Sequence, residues 1–191
     1  IKLTLGIKRY LSMSELRGLM FLNMAVSAGG SMILVNTIIL VRSSLELSEI
    51  AFSITMLIFG AGCIFAAIII PYLSKEMTAS RIMLAGSSLL SIVFVALAFW
   101  LILFDFIWFV RLLAWFISGF GYTLLLTPMG RVIRKVSSAD EFSQVYSAQF
   151  SLSHLCWLFM YPLSGYLMTI SGGSFTLLTL ALLMVCSNII A

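Results

Sequence analysis

Residues 82–103 read IMLAGSSLLSIVFVALAFWLIL, a run of 22 residues without a charged side chain. Arg81 directly precedes the run, and Asp105 follows it closely. About 20 apolar residues in a helix that rises 1.5 Å per residue are needed to cross the hydrocarbon core of a bilayer. Because the run is continuous rather than alternating, it predicts a transmembrane helix and not a strand of a membrane barrel.

Further apolar runs of similar length occupy most of the chain. Of its 191 residues, 62% are hydrophobic and only 9% are charged. Inside a bilayer, backbone polar groups must be satisfied within each helix, so we predict an all-α membrane protein. Six transmembrane helices are expected, over residues 16–40, 48–71, 82–103, 107–128, 143–167 and 174–191.

The basic residues are distributed unequally between the two ends of these runs. Nine lysines and arginines lie before the first predicted helix or in the loops after the second and fourth, whereas Arg42 lies on the other side. Cytoplasmic loops carry the excess of Lys and Arg, so both termini are predicted to be cytoplasmic, which requires an even number of helices. The net charge of +4 is therefore assigned to membrane topology, and no nucleic acid partner is expected.

The helix order predicts a 3+3 inverted repeat, because the second three helices cross in the opposite sense to the first three. This prediction rests on layout, since the two triplets share no evident sequence identity. Cys63, Cys156 and Cys186 fall inside predicted helices without paired spacing, so no disulfide, metal cluster or cofactor is expected. The start at Ile1 and the stop at Ala191 suggest a fragment of a longer protein.

Polar residues inside a bilayer are costly and normally face the interior of a bundle or a cavity. At 100° per residue, the first, fourth and fifth predicted helices each carry polar or aromatic residues on a shared face. These are Asn23, Ser27, Gly30 and Thr37, with Asn36 on another face; Arg111, Trp115, Ser118 and Tyr122; and Tyr146, Gln149, Ser153, Trp157 and Ser164, with His154 at the edge. The stripes predict a hydrated central path, the alternative being hydrogen bonds that only hold the helices together.

Two of these residues each allow two interpretations. Arg111 lies six residues from Asp105, about 9 Å below the outer surface. It either attracts an anionic group or forms an ion pair with a helix outside this chain, or it anchors its own helix by extending outward. His154, the only histidine, either relays protons or is a neutral ring bonded to a neighbour such as Ser147 or Ser151. No carboxylate lies at the centre of a predicted helix, so a proton-coupled carrier would use His154 or a group elsewhere.

The loop PYLSKEMTASR, residues 71–81, resembles the G-x-L-x-D-R-x-G-R-R loop of the major facilitator superfamily. Leu73 and Arg81 match that pattern. The positions that depart from it, and so question its charge-relay role, are Pro71, Lys75, Glu76 and Thr78. Two longer stretches are similar to the C-terminal half of bacterial nickel-resistance, drug and siderophore exporters: LRGLMFLNMAVSAGGSMILVNTIILVR at 16–42, and TPMGRVIRK with SAQFSLSHLCWLFMYPLSGYL within 127–167.

This resemblance implies half of a twelve-helix carrier in the bacterial inner membrane, with the N-terminal six helices missing. It implies proton-driven export of a small molecule or metal-related solute, by rocking of the two halves. In that fold the first and fourth helices of each half line the cavity, with help from the second and fifth. The candidate substrate-binding residues are Asn23, Asn36, Arg111, Tyr122, Gln149 and Trp157, with His154 for proton coupling.

Two other functions are considered. A self-sufficient six-helix protein could pair as a homodimer and act as a carrier or a structural module. An intramembrane serine protease would need a serine in a glycine-rich turn and a histidine on a facing helix. Gly86-Ser87 with His154 is the nearest approach to that arrangement, without an identifiable oxyanion donor, so no enzyme activity is expected.

Overall fold

A computed structural model of the chain describes residues 2–43, 48–104 and 108–191, apart from the side chains of residues 2–4 and 43. In these ranges the chain is helical and contains no β-strand, which confirms the predicted all-α fold. The helices are α1 (Lys2–Ser12), α2 (Ser14–Ile38, followed by a π-helical turn Ile39–Ser43), α3 (Glu49–Glu76), α4 (Ala79–Leu103), α5 (Trp108–Leu126), α6 (Met129–Val136) and α7 (Ala139–Ile190).

Five helical segments are long and apolar enough, by length and composition, to cross a membrane. They are Ser14–Arg42, Glu49–Glu76, Ala79–Leu103, Trp108–Val136 and Ala139–Ile190. The chain is therefore compatible with a membrane protein, as its composition predicts.

The last of these segments contains a sharp break at Gly172, whose φ of 75° and ψ of 177° are not helical. Before the break, contacts between α7 and α2 advance along both helices together, in the pairs Trp157–Gly30 and Ser164–Asn36. After it they return along α2, in the pairs Gly173–Leu40, Met184–Gly29 and Ala191–Gly18. The parts 139–171 and 173–190 thus follow α2 in opposite directions.

The end of α3 differs from the expectation that this helix stops at Pro71. The helix continues to Glu76, and Pro71 is exposed on its surface. The helix stops at Met77, whose backbone is extended, and the Thr78 hydroxyl then accepts a hydrogen bond from the Arg81 N–H at 3.4 Å as the N-cap of α4. The stop is therefore set by the capping of the next helix, because a serine or threonine cap fixes where a helix begins.

Most basic side chains meet at one end of the bundle, which we call the basic end. Arg131 donates a hydrogen bond to Ser74, joining α6 to α3, and Arg9 pairs with Glu141 at 3.1 Å, joining α1 to α7. The lysines and arginines of this end whose side chains the structure describes are Lys8, Arg9, Arg17, Lys75, Arg81, Arg131, Arg134 and Lys135. Arg42 lies at the opposite end, where it pairs with Glu49.

Close helix contacts hold α5 against α3 and α4 through glycines. Gly62 faces the backbone of residues 116–120, and Gly119 faces the backbone of residues 59–63. Gly86 and Gly121 face each other, so that a Cβ on Gly86 would lie 2.6 Å from the Gly121 carbonyl oxygen. We call these four residues the glycine interface; such small residues let helix backbones approach closely.

Candidate functional site

Polar side chains of α2, α5 and α7 lie along much of the bundle. Asn23 and Leu40 are separated by about 25 Å at 1.5 Å per residue, which is most of the depth of a hydrocarbon core. We call this set of residues the polar seam. Its members are the buried Asn23, Asn36, Thr37 and Leu40 carbonyl of α2 and its π-helical turn, Arg111 and Trp115 of α5, Gln149 and Ser164 of α7, and the half-buried rings of Tyr122 of α5 and Trp157 of α7.

At the end of the seam away from the basic end, two side chains of α5 donate hydrogen bonds to α2. Nη1 of Arg111 lies 2.9 Å from the Leu40 carbonyl oxygen, which belongs to the π-helical turn. The Trp115 indole N–H lies 2.9 Å from the Thr37 hydroxyl oxygen. Arg111 and Trp115 are 1% and 0% exposed, so both bonds are shielded. The Arg111 side chain is therefore buried against a neighbouring helix and does not extend outward as the anchoring interpretation expects.

Asn36 joins α2 to α7 further along the seam. Its Nδ2 donates to the Ser164 hydroxyl at 2.7 Å and to the Ser164 carbonyl at 3.1 Å. Within the described residues its Oδ1 is buried without a hydrogen-bond partner. Asn36 and Thr37 thus serve different neighbours, α7 and α5, in agreement with the prediction that Asn36 lies on another face of the first helix than Thr37.

Aromatic rings gather around Gly30 of α2. A Cβ on Gly30 would clash with the Trp157 ring and would lie 3.2 Å from the Tyr122 ring, so two predicted residues meet here. Ring centroids of Trp157 and Tyr161 are 5.0 Å apart, and those of Tyr122 and Phe59 are 5.9 Å apart. Trp157 and Tyr122 are half-buried. This aromatic cluster therefore combines a polar edge with partly accessible faces, the combination that suits an amphipathic organic solute.

Gln149 marks the part of the seam nearest the basic end. Its Oε1 accepts a hydrogen bond from the Tyr10 hydroxyl of α1, and its Nε2 lies 2.8 Å from the Met129 sulfur. Burial raises the pKa of Tyr10 above its ordinary value of 10.0. A cavity of about 310 Å³ adjoins this contact, and its lining includes Thr127, Met129, Tyr146, Gln149, Phe150 and Ser153.

Sequence reasoning missed Tyr10, although a signal for it exists. Tyr10 lies on α1, which packs against the beginning of α7. Ile7 and Tyr10 stand three residues apart on one face of α1, the spacing of an apolar helix stripe. That stripe indicates that α1 buries a face, and the structure shows that it does so on α7.

Asn23 and His154 stand apart from these clusters. Asn23 is 2% exposed, and its Nδ2 has no hydrogen-bond partner in the described ranges. His154 is exposed, and its Nδ1 lies 2.8 Å from the Phe150 carbonyl and 3.4 Å from the Ser153 hydroxyl, whereas the Ser151 hydroxyl donates to the Ser147 carbonyl. Six of the seven predicted residues are therefore spread along the seam and His154 lies on the exposed surface, so the seven are not gathered in one cavity.

The geometry does not pair a serine nucleophile with His154. Ser87 is fully buried, and its Oγ has no hydrogen-bond partner among the residues that the structure describes. A serine nucleophile requires a base within hydrogen-bond reach.

Asp105, the reference point for the depth of Arg111, lies outside the described residues.

Residues 2–43, 48–104 and 108–191 contain no group of three or more His, Cys, Asp or Glu side chains that could hold a metal ion. Comparison with protein families, with curated proteins and with solved structures finds no match for this chain. Function must therefore be argued from the polar seam and the surfaces around it.

Proposed function

We propose that this chain is one half of a secondary active transporter, as its resemblance to the major facilitator superfamily implies. The observation that carries the proposal is the polar seam, because polar groups at membrane depth are expensive and mark solute and ion paths. It lies on α2, α5 and α7, the helices on which the sequence predicts a central path. In this proposal the transporter exports a small molecule, by proton antiport, from bacterial cells.

The break at Gly172 supports the proposed six crossings and the 3+3 repeat. If 139–171 and 173–190 each cross the membrane, then α2, α3, α4 and α5 with these two parts give an even number. Both termini then lie at the basic end, where Arg9 and Glu141 pair and Ala191 packs on Gly18. The positive-inside rule favours the cytoplasm for that end, in a bacterial inner membrane.

Exposed faces support a partner bundle beside this one. Only 22% of the α3 span is buried, against 72% of the α2 span. The first part of α7 also exposes large side chains, such as Phe150, Leu158 and Tyr166. In the proposal, the missing N-terminal six helices cover part of these faces and the lipid bilayer covers the rest. A second copy of this chain is the alternative occupant, as in a stand-alone homodimer.

The residues of the seam favour an amphipathic organic solute over a bare metal ion. Its aromatic cluster and its amides can stack on and hydrogen-bond to such a solute. Among the described buried polar side chains, none is a carboxylate, a thiol or an imidazole, the usual ligands of transition metals. Proton coupling would then use His154 or a residue of the other half. A metal-related solute would travel as a complex.

The test is efflux from cells that express the whole gene containing this chain. The panel comprises nickel, cobalt, dyes, antibiotics and siderophores, each measured with and without a proton uncoupler. Uncoupler-sensitive export of one class supports the proposal and names the cargo. Export of none, with the protein shown to be in the membrane, contradicts it.

A matched pair of variants connects transport to the seam. Trp157→Ala removes a ring that packs on Gly30. The control, Trp100→Ala, removes an indole that packs on Phe104 at the C-terminal end of α4. We expect export to fall at least about tenfold for Trp157→Ala, since losing an oriented stacking contact costs on the order of 1 kcal/mol or more in binding and also misplaces the solute. Equal losses of export in both variants would show that transport does not depend on the polar seam.

A further inference from the structure

A groove runs along the outer surface between α4 and residues 173–190, away from the polar seam. Its volume is about 670 Å³. Side chains from both helices line it, among them Ser88, Ile92, Ala96, Val185, Asn188 and Ile189. The small side chains of Ser88 and Ala96 give the groove its depth, because larger residues at these positions of α4 would fill it.

The groove has a polar end and an apolar end. Asn188 lies three residues before Ala191, which packs on Gly18 at the basic end. The buried Oδ1 of Asn188 has no hydrogen-bond partner among the described residues. Further from the basic end, the α4 wall consists of Ile92, Val95 and Ala96. Polarity therefore falls along the groove from the basic end toward the middle of the bundle.

Arg81 stands on α4 beyond the groove, toward the basic end. It precedes Ser88 by seven residues, so the two positions lie on nearly the same face of α4 and about 10 Å apart along its axis. Exposed positions of α4 on this face are Arg81, Ala85, Ser88, Ile92 and Ala96. A cation thus stands in line with the polar end of an apolar groove.

We propose that this groove binds an anionic phospholipid, with the phosphate at Arg81 and one acyl chain along Ile92 and Ala96. The order of the groups matches such a lipid, whose charged head, ester region and hydrocarbon chain follow one another along the membrane normal. The choice of a lipid over a transmembrane helix rests on charge, because an anionic headgroup complements Arg81 and basic side chains near the membrane surface attract anionic lipids. This site is independent of transport.

The test measures phosphatidylglycerol bound to the purified protein in detergent, by titration with a fluorescent form of that lipid and with phosphatidylcholine as the neutral probe. Arg81→Gln weakens phosphatidylglycerol binding about fivefold, since one basic side chain at a membrane surface contributes about 1 kcal/mol. Phosphatidylcholine binding stays unchanged in this variant. Lys135→Gln, which removes an exposed charge from α6 at the same end, has little effect on either lipid.

A second pair of variants tests the acyl chain. Ala96→Phe fills the groove and weakens the binding of both lipids, whereas Ala67→Phe, at an exposed position of α3, does not. Equal effects of Arg81→Gln and Lys135→Gln would overturn the proposal in favour of general charge attraction. The proposal also fails if Ser88→Cys crosslinks two copies while no lipid is retained, because the occupant is then a second chain. Arg81→Gln changes an exposed side chain, so it decides the matter even if Ala96→Phe does not fold.

Discussion

The two sides of α5 are packed in opposite ways. Toward α3 and α4 it meets backbone with backbone through the glycine interface, where a Cβ on Gly119 would clash with the Phe59 carbonyl. Toward α2 it presents Arg111 and Trp115, two of the largest fully buried side chains, each donating a hydrogen bond. One side is thus held mainly by close backbone packing and the other by directional polar contacts.

This difference indicates which contacts would change during the transport cycle that we propose. Close backbone packing has no intermediate arrangement, because any separation forfeits the dispersion contacts between the facing atoms. A hydrogen bond between membrane helices is worth on average about 0.6 kcal/mol, so polar contacts can exchange partners at little cost. We therefore interpret α3, α4 and α5 as a scaffold and the polar seam as the adjustable part.

The largest effect is expected from breaking the scaffold with Gly62→Ala. The new Cβ meets the Phe116 carbonyl, a backbone group that cannot rotate away, so we expect a loss of about 1–3 kcal/mol in the free energy of unfolding. Gly60→Ala is the control two residues away, because a Cβ there meets nothing within 4 Å. Titration with a denaturing detergent measures both, and equal stabilities of the two variants would show that α3 and α5 do not touch in this way.

A slightly smaller effect is expected at Gly172, where the chain turns back along α2. Its φ and ψ lie in a region that only glycine adopts readily, so Gly172→Ala is expected to destabilise the protein by about 1–2 kcal/mol. Gly165→Ala is the matched control in the same helix, since its Cβ would lie 3.8 Å from Val35, an ordinary contact. The same denaturation assay compares them. A harmless Gly172→Ala would mean that the two parts of α7 form one straight helix.

The sequence predicts the class of fold and the helices of the seam but not the pairing of residues across it. Periodicity places Asn36 and Thr37 on different faces of one helix, yet it does not say that one face meets Ser164 and the other Trp115. The same limit applies to glycines, because Gly60 and Gly62 look alike in the sequence and only Gly62 faces another backbone. Partner choice depends on how helices far apart in the chain cross.

The sequence also predicts the ends of the helices poorly, for a related reason. Pro71 was expected to end α3, since proline lacks the N–H that continues a helix. The structure keeps it within the helix, and the capping of α4 by Thr78 sets the end instead. Gly172 was not distinguished from Gly173, although only Gly172 has a positive φ. The type of a residue allows a helix to end or break at that position. The packing of the two neighbouring helices decides whether it does.

The polar contact of the seam gives the next effect in size. Asn36→Ala removes the donor to Ser164, and we expect it to lower the free energy of unfolding by about 1–2 kcal/mol. A double-mutant cycle with Ser164→Ala isolates the pair, and its coupling energy is expected to be about 0.6 kcal/mol, typical for membrane helices. The same cycle with Gly62→Ala and Gly119→Ala measures the coupling across the glycine interface. If the Asn36–Ser164 coupling energy is well above that value, the polar seam is the rigid part and the assignment of scaffold and adjustable part is reversed.

The smallest effect concerns how α1 is attached to the seam, and it depends on pH. Burial raises the pKa of Tyr10, so the folded state keeps a proton that the unfolded chain releases above pH 10.0. Its contribution to stability is full below that pH and is lost as the pH rises toward the folded-state value. At about pH 10.5 the wild type should lose roughly 0.8 kcal/mol that Tyr10→Phe does not lose. Unfolding measured at pH 8 and 10.5 tests this. Tyr72→Phe is the control, because the Tyr72 ring is 66% exposed. An identical pH dependence in wild type and Tyr10→Phe would place the Tyr10 hydroxyl in water, away from Gln149.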